Sequence, residues 1–466
     1  MSKTELSQIV EQLRQAHIQA GAPSIELRID RLERTKKLLL EHKDALIQAI
    51  DDDFGHRSHY QTLASDILAT VSAIEDAKAH VAEWVQSERV AAPNEGMKTE
   101  IQYQPLGVVG IISPWNFPLN LAFCPLAGVF AAGNRALLKP SELTPKTSAL
   151  LAELVPQYFD ATELQVITGD AEVGAAFSAL PFDHLVFTGS TAVGRHVMRA
   201  AAENLVPVTL ELGGKSPAVI CDDFDLKTAV ERVLTIKTFN AGQICISPDY
   251  VLLPETQRDA FVEHAKTFTH SIFPNYFDND DFTAIISERH FQRLVGLLED
   301  AKAKGATVIT LNTEGVIADP HARKIAPTLV LDVTDDMLIM QEEIFGPLLP
   351  IKTYQTLDQA IAYINAHPRP LAAYFFSDVE TVQQQFATQT TSGALVINDV
   401  MTHVLVETLP FGGVGASGIG AYHGIHGFRR FSHAKAVVVQ SKDGESNLRL
   451  RAPYQEKFAA LQEIFQ

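Results

Sequence analysis

Short apolar runs, each followed by a segment with helical spacing, recur along most of this chain and constrain its fold more than any other feature. They form two series, at residues 108–112, 136–138, 165–168, 184–188 and 207–211, and at residues 218–221, 250–253, 307–310, 328–331 and 373–376. Buried strands that alternate with helices form parallel sheets joined by right-handed crossovers. The sequence therefore predicts an α/β protein with two sheet-forming units.

The segments outside these two series have other patterns. Leu6, Ile9 and Val10 are placed at helical spacing near the amino terminus, and a second helical segment covers residues 61–85. From residue 98, apolar residues alternate with polar neighbours, which predicts a two-sided strand. After a glycine-dense segment at 411–420, the end of the chain is polar and compatible with a helix.

The chain is acidic, and this excludes one class of partner. Its 466 residues contain 38 Lys and Arg against 56 Asp and Glu, a formal net charge of −18. A field of this sign repels polyanions, so we expect no nucleic-acid partner. At roughly 100 to 200 residues per domain, the length predicts two or three domains, with a single large α/β unit and an appendage as the alternative.

The cysteines and the apolar segments bear on the compartment. Cys124, Cys221 and Cys245 form no C-x-x-C pair, which argues against a disulfide framework and against a zinc site. The first 20 residues lack the continuous apolar run of a secretory signal. Residues 106–133 contain no charge, but three prolines interrupt any lipid-facing helix there. We therefore expect a cytoplasmic protein with no metal and no membrane segment.

Cys245 is a candidate nucleophile. It closely follows Gly242, and glycine lets the backbone turn just before the thiol. A thiol becomes a good nucleophile only when its pKa is lowered or a base is near. Packing is the alternative, because free cysteines are usually buried. Cys124, in an apolar run, and Cys221, at a strand end, fit that packing role.

Glu211 ends the predicted strand 207–211 and precedes a Gly-Gly pair. An ionised carboxylate at the end of a buried strand must be solvated or paired. Ligands of open α/β folds bind beyond the carboxyl ends of the strands, which favours a functional role for this residue. A salt bridge to Lys215 or to another base is the alternative.

Residues 187–195 run from a predicted strand through a glycine-containing turn into a helix. This arrangement offers free amides and a positive dipole end to a pyrophosphate. The segment departs from G-x-G-x-x-G because Thr191 replaces the second glycine, so a tight structural turn is the alternative.

Two further segments place polar residues near strand ends. Lys139 and Glu142 follow the strand 136–138 and could hold ribose hydroxyls and phosphates, with a solvated loop as the alternative. Asn116 lies between Pro114 and Pro118, where a rigidly held amide could donate to a developing oxyanion. An Asn that only satisfies turn amides is the alternative for that position.

These segments occur together, and in the same order, in one known family. The matching motifs are Pro-Trp-Asn-Phe-Pro at 114–118, Lys-Pro-Ser-Glu at 139–142, Phe-Thr-Gly-Ser-Thr at 187–191, Glu-Leu-Gly-Gly-Lys at 211–215, Gly-Gln-Ile-Cys at 242–245 and Glu-Ile-Phe-Gly-Pro at 343–347. Over nearly the whole chain they resemble the aldehyde dehydrogenase superfamily. The motif at 410–418 resembles the class 3 branch, and residues 53–58 and 248–250 are most similar to those of coniferyl aldehyde dehydrogenases.

The resemblance implies a role for each matching residue. Cys245 would add to the aldehyde carbon, the Asn116 amide and the Cys245 backbone N–H would hold the oxyanion, and Glu211 would take a proton from the thiol or from the hydrolytic water. The implied cofactor-binding residues are Trp115, Lys139, Glu142, Gly189, Ser190, Gly194, Leu212, Glu343 and Phe345.

The resemblance also implies the cofactor, the substrate class and a partner. Glu142 should repel a 2′-phosphate, so we expect NAD, with NADP as the alternative. The expected substrate is an aromatic aldehyde such as coniferaldehyde, or a medium-chain aliphatic aldehyde, and the expected assembly is a homodimer. Thr238 and Ile244 depart from the family pattern and favour an atypical substrate tunnel. Alternatives are a semialdehyde dehydrogenase and a CoA-acylating enzyme, which would not need Glu211 to activate water.

A domain plan follows from the resemblance and not from periodicity. It implies a Rossmann-type cofactor domain formed by residues 1–85 and 107–214, and an α/β catalytic domain at 215–395. Residues 86–106 and 396–466 would form a small β-rich oligomerisation arm and a C-terminal tail.

Overall fold

The computed structural model describes residues 3–93, 95–442, 444 and 447–465. Its strands are β1 (Glu88–Val90), β2 (Lys98–Pro105), β3 (Val108–Ile112), β4 (Arg135–Lys139), β5 (Leu164–Val166), β6 (His184–Thr188), β7 (Val208–Glu211), β8 (Pro217–Ile220), β9 (Tyr250–Pro254), β10 (Thr307–Thr310), β11 (Ala318–Asp319), β12 (Lys324–Ile325), β13 (Thr328–Leu331), β14 (Leu348–Tyr354), β15 (Ala372–Phe376), β16 (Ala394–Ile397), β17 (Gly418–Ile419) and β18 (Ser432–Val439).

The α-helices pack around these strands. They are α1 (Lys3–Ala20), α2 (Ile25–Glu41), α3 (Lys43–Phe54), α4 (His59–Gln61), α5 (Ala69–Trp84), α6 (Asn120–Ala131), α7 (Pro145–Tyr158), α8 (Ala171–Ser178), α9 (Thr191–Ala202), α10 (Leu226–Thr238), α11 (Arg258–Ile272), α12 (Glu288–Ala303), α13 (Leu338–Gln341), α14 (Leu357–Asn365), α15 (Glu380–Gln389), α16 (Gly424–Arg430) and α17 (Gln455–Ile464).

The first series of apolar runs forms a six-stranded sheet with the order β17-β7-β6-β3-β4-β5. Its strands β3 to β7 are parallel, and only β17 pairs in the antiparallel direction. Every residue of β4, β6 and β7 is buried, as expected for strands covered by helices on both faces. Thr188 pairs with Glu211, so β6 and β7 end at the same edge of the sheet.

The second series forms a seven-stranded sheet with the order β10-β13-β14-β9-β8-β15-β16. All of its pairs are parallel except β10 with β13. The predicted α/β class with two sheet-forming units is confirmed. The sequence prediction did not include β14, which contains Pro350, or β16; proline within a run argues against a strand that must donate along its whole length.

A third sheet is antiparallel and has the order β1-β2-β18. Strand β2 confirms the two-sided strand predicted from residue 98. The prediction of a helix-compatible end was correct for α17 but wrong for residues 432–439, which pair with β2 along all eight residues of β18. Local pattern did not indicate this strand, because its pairing partner lies more than 300 residues earlier in the chain.

Two helical regions depart from simple α-helix. Residues Thr62–Leu68 form a π-helix between α4 and α5, and its wider turn contains the buried Asp66. The uncharged stretch 106–133 divides into β3, a loop and the short helix α6. Among the described residues, no helix combines the length and the apolar character that crossing a membrane requires.

Candidate active site

One large cavity, of about 860 Å³, opens where the carboxyl ends of β3, β6 and β7 face the second sheet. Such edges are where open α/β sheets bind ligands. The predicted site residues on its wall are Trp115, Asn116, Gly189, Ser190, Glu211, Leu212, Cys245, Glu343 and Phe345. The structure therefore brings together residues that are separated by more than 200 positions in the sequence.

Cys245 lies in a tight loop after α10. Asn240 and Ala241 have positive φ angles of 49° and 50°, and Gly242 follows with φ 72°. A Cβ at Gly242 would lie 2.4 Å from the carbonyl oxygen of Gly346, so glycine is required for this close approach. The thiol is half-buried, and burial, followed by the charges of Glu343 and Glu211, raises its pKa to about 12. The resting thiol is therefore protonated.

Glu211 is the last residue of β7 and is 2% exposed. Both carboxyl oxygens lack a hydrogen-bond partner within the part of the chain that the structure describes. Burial raises the pKa of Glu211 well above its usual value, and Arg430 only partly opposes this. The alternative of a salt bridge with Lys215 is wrong, because the Lys215 ammonium pairs with Asp249. An unpaired buried carboxyl on a cavity wall is typical of a functional group.

Asn116 is buried in the loop after β3, and both its side-chain amide and its backbone carbonyl oxygen are hydrogen-bonded. Its side-chain Nδ2 donates to the Gln243 carbonyl oxygen at 3.1 Å, which uses one of the two hydrogens of the amide. Its own carbonyl oxygen accepts from Arg57 at 2.6 Å and from Asn240 at 3.2 Å. The loop that carries Asn116 is thus tied to the loop that carries Cys245.

The glycine turn between β6 and α9 opens onto the cavity. The Ser190 hydroxyl accepts from the Val193 amide at 3.4 Å and caps α9, so helix amides begin at the cavity wall. A Cβ at Gly189 would lie 2.6 Å from the Phe187 ring. The turn therefore combines exposed amides with the positive end of a helix, as an anionic ligand requires.

Glu343 and Phe345 reach the same cavity from the loop before β14. A Cβ at Gly213 would come within 2.2 Å of the Glu343 carboxyl oxygens, so this carboxyl lies directly against the Gly213 backbone. Burial, followed by the nearby Asp249, raises the pKa of Glu343 to about 8. The Phe345 ring meets Trp115 edge-on at 5.3 Å, and the two rings form an apolar wall.

Three predicted cofactor residues are not among the described residues that line the cavity. Lys139 is buried at the end of β4, 3.4 Å from the exposed carboxylate of Glu142. Gly194 lies inside α9, where a Cβ would meet the Leu212 side chain at 2.7 Å. Gly194 therefore allows helix and strand to pack closely behind the turn.

The sequence analysis missed several residues on the cavity wall. Arg195 lies one turn into α9, and His290 and Arg293 come from α12. Arg293 donates to the Glu343 carbonyl oxygen at 3.1 Å and holds that loop, while His290 packs edge-on against Trp115 at 5.3 Å. Nothing in the α12 sequence marks these residues, because their role depends on packing between the two sheets.

The residues present fit a dinucleotide cofactor. Ser190, Thr191 and Ala192 present the first turn of α9 to the cavity, and Arg195 adds a cation. The buried Thr188 hydroxyl, also on the wall, lacks a partner among the described residues. Free amides and a cation suit a pyrophosphate, while apolar rings and the Glu343 carboxyl suit a planar ring with its ribose.

Comparisons with known proteins identify the family of this chain. The profile described as "Aldehyde dehydrogenase family" matches residues 1–437. A coniferyl aldehyde dehydrogenase of Pseudomonas sp. (strain HR199) is 57% identical over 98% of this chain and 95% of that protein. A rat aldehyde dehydrogenase described as dimeric and NADP-preferring is 37% identical, covering 97% of this chain and 98% of the rat protein.

A solved structure has the same fold over almost its entire length. Staphylococcus aureus AldH in a substrate-bound state superposes with a TM-score of 0.92 at 37% identity, covering 98% of this chain and 99% of that chain. The likeness in fold and the likeness in sequence therefore agree. The chain belongs to the aldehyde dehydrogenase family and oxidises aldehydes to carboxylic acids with a nicotinamide cofactor.

Proposed function

We propose that this enzyme oxidises an aromatic aldehyde such as coniferaldehyde, or a medium-chain aliphatic aldehyde, with NAD, and that Cys245, Glu211 and Asn116 carry the chemistry. One observation carries the proposal: a half-buried thiol lines the same cavity as a buried carboxyl that has no hydrogen-bond partner among the described residues. The relative named coniferyl aldehyde dehydrogenase, 57% identical, supports the substrate.

In this mechanism Cys245 adds to the aldehyde carbon and forms a thiohemiacetal. The aldehyde oxygen becomes negatively charged and accepts hydrogen bonds from the Asn116 amide and from the Cys245 backbone N–H. The second hydrogen of the Asn116 Nδ2 group is left for this purpose, since the bond to Gln243 uses the first. The bound nicotinamide ring supplies the acceptor for the hydride that the thiohemiacetal loses.

Glu211 acts as a general base toward the thiol and later toward the water that hydrolyses the thioester. Among the described residues the carboxyl oxygens have no hydrogen-bond partner, and burial raises the pKa of Glu211, which makes its carboxylate a stronger base than that of an exposed Glu. Hydrolysis releases the acid without CoA. Because a CoA-acylating enzyme has no use for such a base, Glu211 disfavours that alternative.

The cofactor residues are proposed at three places in the cleft. Lys139 and Glu142 would hold the adenosine ribose, the turn from Gly189 to Gly194 would hold the pyrophosphate, and Glu343 with Phe345 would hold the nicotinamide riboside. Trp115 and Leu212 would complete the wall of the cofactor site. The exposed Glu142 carboxylate supports NAD over NADP, because it would repel a 2′-phosphate.

The domain plan and the dimer are proposed together. The cofactor domain comprises residues 1–85 and 107–214, the catalytic domain residues 215–395, and the arm and tail residues 86–106 and 396–466. In the third sheet, β18 is an edge strand whose Val438 and Val439 are more than half exposed, and such an edge offers a pairing surface to a second copy. Light scattering should give a dimer mass, and a monomer would contradict the assignment.

Initial rates with coniferaldehyde, benzaldehyde, hexanal and succinic semialdehyde, each with NAD and NADP, test the substrate and the cofactor. We expect the highest kcat/KM with coniferaldehyde and NAD, and free acid as the product without CoA. A clear preference for succinic semialdehyde would overturn the aromatic assignment. Cys245→Ala should abolish turnover, and parental turnover in that variant would overturn the mechanism.

A further inference from the structure

Arg57 is a cation buried in the loop between α3 and α4, and nothing above gives it a function. Its side chain is 0% exposed. The guanidinium lies between two aromatic rings, 4.9 Å from the Phe54 centroid and 5.0 Å from that of Phe117. A buried charge is costly unless it is paired and hydrogen-bonded, so its partners indicate what it does.

The first partner is Asp66 in the π-helix, which is equally buried. Arg57 Nη2 donates to Asp66 Oδ2 at 2.8 Å. The other oxygen, Asp66 Oδ1, accepts from the backbone N–H groups of Leu119 at 3.0 Å and Asn120 at 3.2 Å. Asp66 therefore neutralises Arg57 and also fixes the point where the Asn116 loop enters α6.

The second partner is the backbone of Asn116 itself. Arg57 Nη1 donates to the Asn116 carbonyl oxygen at 2.6 Å, a short bond with a charged donor. The Asn240 side chain donates to the same oxygen at 3.2 Å and to the Gln243 carbonyl oxygen at 3.1 Å. Arg57 and Asn240 therefore donate to the same carbonyl oxygen. Through its second bond, the Asn240 side chain links the Asn116 loop to the Cys245 loop.

We infer that Arg57, neutralised by Asp66, is a positioning residue that fixes the Asn116 peptide and so aims the Asn116 amide at the oxyanion formed on Cys245. The inference rests on the proposed function, because it assumes the roles of Asn116 and Cys245. Among the described residues that line the cavity, neither Arg57 nor Asp66 is present, so both act through Asn116 and not on the substrate. Displacement of a reacting group by about 1 Å costs on the order of 100-fold in rate.

The test variant is Arg57→Met/Asp66→Asn. It removes both charges together and so leaves no unpaired ion in the interior. Met keeps an apolar side chain between the rings, and Asn keeps an oxygen for the Leu119 and Asn120 amides. We expect kcat to fall about 100-fold with KM for the aldehyde within about twofold, because a contact that matters in the transition state is lost.

Combination with Asn116→Ala separates positioning from a structural role. If Arg57 acts through Asn116, Arg57→Met/Asp66→Asn lowers kcat about 100-fold in the parental enzyme but no more than about threefold when Asn116 is already Ala. Arg31→Met is the matched control. Arg31 is also a buried guanidinium, 2.9 Å from Glu163, and its removal leaves Arg34 to neutralise that carboxylate at 2.8 Å, so kcat should not change.

An unchanged kcat in Arg57→Met/Asp66→Asn, or an equal loss in both backgrounds, would overturn the inference. If this variant does not give a cooperative melting transition, Arg57→Lys replaces it in the same cycle. Lys keeps the charge for Asp66 but lacks the planar guanidinium that donates to Asp66 and to the Asn116 carbonyl oxygen at once. Parental turnover in Cys245→Ala would instead overturn the proposed function. If Cys245→Ala loses turnover, but Arg57→Met/Asp66→Asn costs the same factor in the parental enzyme and in Asn116→Ala, only the positioning role is overturned.

Discussion

The Glu211→Gln substitution tests the general base and the electrostatics of the cavity together. Gln keeps the shape of the side chain but can neither accept a proton nor ionise. We expect steady-state turnover to fall on the order of 100- to 10,000-fold, the usual contribution of a positioned base. A burst of one equivalent of NADH per active site would place the larger loss in thioester hydrolysis, and a reaction without a burst would place it in acylation.

The same substitution should change how stability depends on pH. Burial raises the pKa of Glu211, so above pH 4.5 the folded state binds more protons than the unfolded state. The stability of the parental enzyme therefore falls as pH rises from 4.5 toward the folded pKa, by up to about 1.4 kcal/mol per pH unit. The Gln variant lacks this contribution, whereas the raised pKa of Glu343 is common to both proteins and cancels in the difference.

The size of this effect is measurable. Between pH 5 and pH 7 the difference in unfolding free energy should change by up to about 2.7 kcal/mol in favour of the variant. At roughly 2 cal/mol/K per residue, a chain of 466 residues has an unfolding entropy of about 1 kcal/mol/K. The melting temperature of Glu211→Gln minus that of the parental enzyme should therefore increase by up to about 3 °C between pH 5 and pH 7.

Stopped-flow NADH fluorescence measures the burst, and scanning calorimetry at pH 5, 6 and 7 measures the melting temperatures. Asp249→Asn is not a suitable control, since Asp249 pairs with Lys215 near the cavity. Glu153→Gln, on the exposed face of α7, serves instead and should leave both readouts unchanged. Parental turnover in Glu211→Gln would refute the base role, and a melting difference that does not change with pH would refute the buried ionisation.

Four further results are expected. Glu142→Gln should raise the ratio of kcat/KM for NADP to that for NAD about fivefold, since contact repulsion in water is worth about 1 kcal/mol; initial rates measure this, and an unchanged ratio contradicts it. Gly242→Ala should lower the melting temperature and the activity, because a Cβ would lie 2.4 Å from the Gly346 carbonyl oxygen and the φ of 72° costs of order 1–3 kcal/mol. Leu205→Gly should raise the urea midpoint by the equivalent of about 1 kcal/mol, because Leu205 is 90% exposed with φ 56°; a lower midpoint refutes this. Alkylation of Cys245 by iodoacetamide should accelerate about tenfold per pH unit from pH 7 to 9, following the thiolate fraction, and a plateau in that range would contradict the raised pKa.

Much of the fold could be predicted, because its strands carry local signals. The apolar run 184–188 and the β6 strand coincide, and the alternation from residue 98 indicates β2. Strand β18 could not be predicted in this way, since its residues become a strand by pairing with β2 across the sequence. The antiparallel direction of β10 was likewise not predicted, because direction depends on the route of the chain and not on its local pattern.

The candidate site divides in the same way. Cys245, Glu211 and Asn116 were identified because each lies in a short motif to which the family resemblance assigns a role. Arg293 lies in a segment with no such motif, and the resemblance of residues 53–58 assigns no role to Arg57. A buried arginine is rare, and nothing local to its sequence indicates whether it meets a carboxylate. Only the folded structure shows that the Arg57 guanidinium lies 2.8 Å from Asp66.

The electrostatics of the cavity indicate the order of events in the proposed mechanism. Burial opposes ionisation of Cys245 and of Glu211, and the charge of Glu211 further raises the pKa of Cys245. In the proposed mechanism the thiol ionises as Glu211 takes its proton, so that the pair carries one negative charge before and after the transfer. As the carbon–sulfur bond forms, that charge moves to the aldehyde oxygen, and the only donors proposed for it are Asn116 and the Cys245 N–H. Catalysis in this site then depends on where the amide points more than on how acidic the thiol is, which is why a buried ion pair that fixes the Asn116 peptide can affect the rate.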